Sequence, residues 1–164
     1  MSAFSFAEAI CGQFDYELIR AGGVSVCADP ETLARFVERL SELGYSVAES
    51  VYDGVSLVSF SNSLIGAIPM YSHYEYGPGN LNSLHGMLQD LEVGRGLGLL
   101  FVIRGFDQAF SADAKWAVDF LDILQLASYD RLLMGQRLII LVELLDGSIK
   151  LPRLGGFEPD RYPS

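Results

Sequence analysis

Reactive and basic side chains are scarce in this chain. There are two histidines and two cysteines, and 11 Lys and Arg stand against 21 Asp and Glu, a formal charge of −10. A charge of that sign repels phosphate backbones, so direct binding of DNA or RNA is not expected. Cys11 and Cys27 show neither a CxxC spacing nor a His-rich neighbourhood, which excludes the usual zinc and disulfide frameworks and predicts reduced thiols. Runs near 18 apolar residues are missing, and so is a basic segment ahead of the apolar residues in MSAFSFAEAICGQFDYE. No membrane span and no export are expected, and a cytoplasmic location is. His73 and His85 are separated by a Gly-Pro-Gly turn rather than by a metal-ligand spacing on one helix. GRGLG at 94–98 precedes a strand instead of opening a helix and reads as a turn, and GPGN at 77–80 does precede a helix but lacks a GK[ST] element and the full GxGxxG spacing, which leaves only weak support for an anion site there. The acidic residues Asp107, Asp113, Asp119 and Asp122 cluster around one helix start, where carboxylates suit the helix dipole. No catalytic residue, metal or cofactor is expected.

What is abundant is apolar patterning. Half of the 164 residues are hydrophobic, enough for one domain with one good core. Phe6, Ile10 and Phe14 hint at a short first helix. Val24 and Val26 alternate as a strand, and Asp29-Pro30 then caps a helix whose face is Leu33, Phe36, Val37, Leu40 and Leu43, closed by Gly44. YSVAESVYDG reads as a strand ending in an Asp53-Gly54 turn. In VSLVSFSNSLIGAIPMY a hairpin and a helix compete, and the spacing of Phe60, Leu64, Ile65 and Ile68 favours the helix. A second helix follows YGPGN, with Asn80 as its cap. GLGLLFVIRGF is an apolar strand buried on both faces, and a long helix begins near Ser111 and Asp113. LIILVELL is a last buried strand, with Asp146-Gly147 predicting an antiparallel edge hairpin, and the tail beyond it holds too much Gly and Pro for regular structure. This alternation predicts an α/β fold: a three-layer arrangement with a mostly parallel sheet of about four strands and that hairpin at one edge.

The segment HYEYGPGNLNSLHGMLQDL resembles the signature of the barstar family, intracellular inhibitors of barnase-like ribonucleases, in Tyr76, Gly77, Asn80, Leu81, Leu84, Leu88, Asp90 and Leu91. The resemblance extends over 45–145, with 1–44 as an added N-terminal βα element and 146–164 as edge strand and tail. It implies a non-catalytic inhibitor, an immunity protein that blocks a basic toxin, most plausibly a ribonuclease or other nuclease. The family's two toxin-facing aspartates match Asn82 and Gly86 here, its intervening Trp matches His85, its helix cysteine matches Met87, and one residue is added within Pro78-Gly79. The frame is kept and its main charge contacts are not.

The expected partner-binding face comprises Tyr71, Tyr74, Tyr76, Asn82, His85, Gly86, Gln89 and Asp90, with Asp113 and Asp119 extending it. Asn82, Gly86 and Asp90 recur at i+4 on one stripe. Gly86 either lets a partner approach the helix backbone or lets the helix pack against a neighbour. The alternative function is a small α/β ligand-binding domain or enzyme using the Gly-Pro-Gly turn, with His73, His85 and Asp90 converging on a pocket. A third reading is a structural module whose N-terminal extension mediates self-association, although a monomer is favoured.

Overall fold

The structure, a computed structural model, describes residues 4, 5, 7, 13–68, 81–91 and 97–163. Helix α1 (Phe14–Arg20) leads into strand β1 (Val24–Cys27), followed by α2 (Pro30–Glu42), β2 (Tyr45–Val51), α3 (Leu57–Gly66) and α4 (Leu81–Asp90). Then come β3 (Gly98–Arg104), α5 (Phe106–Ala112), α6 (Ala114–Leu133), β4 (Leu138–Glu143) and β5 (Asp160–Tyr162). The strands form one five-stranded sheet in the order β2-β3-β4-β1-β5, and every pairing is parallel.

Local chemistry explains most of the boundaries. The Asp29 carboxylate accepts the Thr32 N–H at 2.7 Å with Pro30 in the first turn of α2, a cap that satisfies a backbone donor the helix cannot. Ser56 caps α3 in the same way, so the helical reading of Phe60, Leu64 and Ile65 holds and the hairpin does not. Asp113 accepts the Trp116 N–H at 2.9 Å and starts α6. The residues before it, 106–112, form α5, a separate short helix that the sequence pattern did not resolve.

Alternation in the central strands builds two cores. Leu99, Phe101 and Ile103 of β3 and Leu138, Ile140 and Val142 of β4 face α3, α4, α5 and α6. Leu100, Val102, Ile139 and Leu141 face α1 and α2. The connection from β1 crosses to the far edge of the sheet, and the next two return strand by strand. Right-handed crossovers that travel in opposite directions carry their helices to opposite faces, which accounts for the three layers.

Two expectations are corrected. No antiparallel hairpin follows β4, because β4 lies between β3 and β1 and has no open edge to offer. Asp146 still makes a turn, accepting Ser148 N–H at 2.8 Å. The chain there is tied to α5 instead, since the Asp107 carboxylate accepts Leu145 N–H at 3.1 Å and Asp146 N–H at 2.6 Å. The tail, expected to be irregular, supplies β5, a fifth strand parallel to β1 with Ser25 opposite Asp160.

Candidate partner-binding face

Helix α4 places Leu84, Met87, Leu88 and Leu91 in the core, the i, i+3, i+4, i+7 pattern of a one-sided helix. The opposite side carries Asn82, Gly86 and Gln89, all exposed, with His85 half-buried beside them. The Gln89 amide nitrogen lies 3.4 Å from His85 Nε2, one turn away. A Cβ built on Gly86 meets nothing within 4 Å. No described residue packs against the space at Gly86, which is exposed on the outer side of the helix.

The carboxyl end of α4 is held by a group the sequence did not single out. Arg131 of α6, only 4% exposed, donates to the Leu91 carbonyl at 2.7 Å, to the Gln89 carbonyl, and to Gln136 Oε1 at 3.3 Å. A guanidinium there satisfies carbonyls that have no partner within the helix and opposes the negative end of its dipole. The signal in sequence was only an arginine near the end of a long helix, 40 residues from its acceptor. Nothing local reveals such a pairing.

Of the residues expected on this face, Asn82, His85, Gly86 and Gln89 share one side of α4. The backbone of Asp90 closes the helix, but its side chain, Tyr71, Tyr74, Tyr76, His73 and the Asn80 cap lie outside the described residues. Asp113 and Asp119 do not extend the face freely: Asp113 caps α6, and Asp119 is paired with Lys115.

The carboxyl ends of the strands, where open α/β sheets usually bind ligands, hold a cluster of one guanidinium and two carboxylates. Arg104 bridges Glu49 and, at 3.1 Å, Glu143. Cys27 ends β1 fully buried, and burial, with Asp29 and Glu143 adding to it, pushes its thiol up to about 12. Such a thiol is not a nucleophile at neutral pH. A shallow groove of about 400 Å³ runs between Tyr52, Gly54, Asp107, Gln108 and Ser111. Of its polar groups, the Asp107 carboxylate is engaged by two backbone N–H groups and the Ser111 hydroxyl donates to the Asp107 carbonyl. Among the described residues, no group of three or more His, Cys, Asp or Glu is placed to hold a metal ion, and no helix is long and apolar enough to cross a membrane.

At the amino ends of the strands the charge is sealed inside. Asp15 of α1 and Arg137 before β4 form a 2.9 Å ion pair with exposures of 0% and 5%. The Tyr45 hydroxyl donates to the same carboxylate at 2.8 Å, and the guanidinium stacks 3.9 Å over the Phe4 ring. Burial first, then the Asp15 charge, drives the Tyr45 phenol well above its ordinary range. This network supports the fold and faces no groove found among the described residues. Compared with protein-family models, curated proteins and solved structures, the chain matches none.

Proposed function

We propose that this chain is a non-catalytic inhibitor, an immunity protein that blocks a basic, nuclease-type toxin with the outer side of α4. The observation that carries this reading is Gly86. A glycine in the middle of a helix costs about 0.5–1 kcal/mol relative to alanine, and among the described residues none occupies the space it leaves. A partner whose surface reaches the helix backbone does use it. The Arg131 clamp keeps that helix in place, which lowers the ordering cost of binding, and the net charge of −10 steers a basic partner towards the chain. The barstar resemblance of the same segment supplies the toxin class.

The test is retention of a basic toxin, such as the product of a neighbouring reading frame, on immobilised protein, followed by titration and assay of its nuclease activity. Wild type is expected to bind and inhibit, more weakly as salt rises. Gly86→Arg, which fills the open space without touching the core, is expected to lower affinity at least about tenfold, the loss of a central contact. A bound toxin indifferent to Gly86→Arg, or no inhibited nuclease, sinks the reading.

A further inference from the structure

The two edges of the sheet are finished differently. On one side β5 is three residues long, carries Asp160 and Arg161, and runs into Pro163, a short, charged, proline-stopped edge of the kind that deters pairing with other chains. On the other side β2 is seven residues long and contains neither Lys nor Pro. It pairs only with β3, from Tyr45 opposite Gly98 to Val51 opposite Arg104. The bonding at its two ends sets the parity: the Gly44 carbonyl accepts Leu97 N–H at 3.1 Å, and Tyr52 N–H donates to the Arg104 carbonyl at 3.0 Å. Successive residues of a strand turn their backbone groups to opposite sides, so Ala48, Ser50 and Tyr52 bond towards β3 while Val47, Glu49 and Val51 point their N–H and C=O groups away from the sheet. Among the described residues, none bonds to those outward groups. Glu49 and Val51 are exposed, Val51 at 55%.

A row of unpaired backbone donors and acceptors is the complement of another extended chain, and charge decides which chain. Between Arg39 and Arg95 the sequence has no Lys or Arg. Exposed Glu42 and Asp53 bracket β2, and Glu49 shares the Arg104 guanidinium with Glu143, so that cluster keeps a net negative charge. A second copy would bring the same acidic edge and a further charge of −10, and repulsion opposes that pairing. We propose that β2 accepts an extended, Lys- or Arg-bearing segment of a partner protein as an added strand on the five-stranded sheet. Main-chain hydrogen bonds to Val47, Glu49 and Val51 hold the segment, and its basic side chains answer the acidic groups at both ends of the strand. A helical partner does not fit here, because its main-chain groups are spent within the helix. The inference does not rest on the α4 face.

The probe is a short synthetic peptide alternating lysine with valine, added to the full chain while backbone amide exchange is followed by NMR. In the free protein the Val47, Glu49 and Val51 amides should exchange at least about tenfold faster than those of Ala48, Ser50 and Tyr52. The peptide should slow the first set at least about tenfold, and its binding should weaken as salt rises. N-methylation of the peptide along its length keeps the charge and removes the donors, and glutamate in place of lysine keeps the donors and reverses the charge; each should abolish the protection. Val51→Pro removes an outward N–H without breaking a bond to β3 and should weaken binding at least about threefold, with circular dichroism checking that it folds. Val51→Lys, at the same exposed position, should weaken it as well, by placing a like charge beside the peptide. No slowing of the β2 amides, equal binding by the N-methylated or the glutamate peptide, or protection that falls on α4 and not on β2 overturns the proposal.

Discussion

Asp15 shows how much a single side chain can hold. Its carboxylate receives both the Arg137 guanidinium and the Tyr45 hydroxyl with no exposure of its own. Removing one partner of a buried ion pair leaves the other charge uncompensated, at a cost of about 3–5 kcal/mol. Asp15→Ala should therefore lower the unfolding free energy from urea titration by that much, while Asp15→Leu/Arg137→Met should recover a large part of the loss in a double-mutant cycle. Cys27 gives a pH signature. Its folded thiol titrates at about 12 against an ordinary 9.0, so the folded state holds a proton that the unfolded chain gives up. The stability this contributes is complete below pH 9 and falls as pH rises towards 12, by at most about 1.4 kcal/mol per pH unit. Unfolding measured from pH 8 to 10 should show that slope, and Cys27→Ala should flatten it.

At the scale of the element, α4 combines an inner side that any helix predictor would accept with a glycine no helix needs. Gly86→Ala should stabilise the fold by about 0.5–1 kcal/mol, since the added methyl meets open space. The thermal midpoint reads this directly, and no gain or a loss would mean that the glycine has an internal role after all. The clamp at the other end has a different reach. Arg131→Met keeps the stem and removes the donors, leaving the Gln89 and Leu91 carbonyls without them at a cost of about 1–3 kcal/mol. Hydrogen exchange should then quicken in α4 before it does in β3 or β4, because the damage is local.

For the whole molecule, the least conspicuous element closes the sheet. Strand β5 is three residues long, yet it covers the edge of β1, and the Tyr162 ring packs at 5.2 Å against Phe36 of α2. Deleting residues 158–164 should uncover the β1 edge, an open template for pairing with other chains. Concentration-dependent aggregation on warming, detected by light scattering, is the expected result. A truncated chain that stays clear and melts like the full chain would show β5 to be dispensable.

Much of this was legible from neighbouring residues alone. The capped start of α2 at Asp29-Pro30, the helical spacing of Phe60, Leu64 and Ile65, and the doubly buried strands 98–104 and 138–143 all depend on contacts within a few residues, so their periodicity is written along the chain. The buried side of α4, with Leu84, Leu88 and Leu91, was legible for the same reason. Tertiary structure decided what depends on position in the sheet. Asp146-Gly147 is a good turn, but no hairpin can form on a strand flanked on both sides, and only the strand order reveals that β4 is flanked. The partners of Asp15 and Arg131 are equally invisible locally, because each pair is closed by segments 122 and 40 residues apart. Sequence periodicity tells a side chain which way to face, and only packing of the whole chain tells it whom it meets.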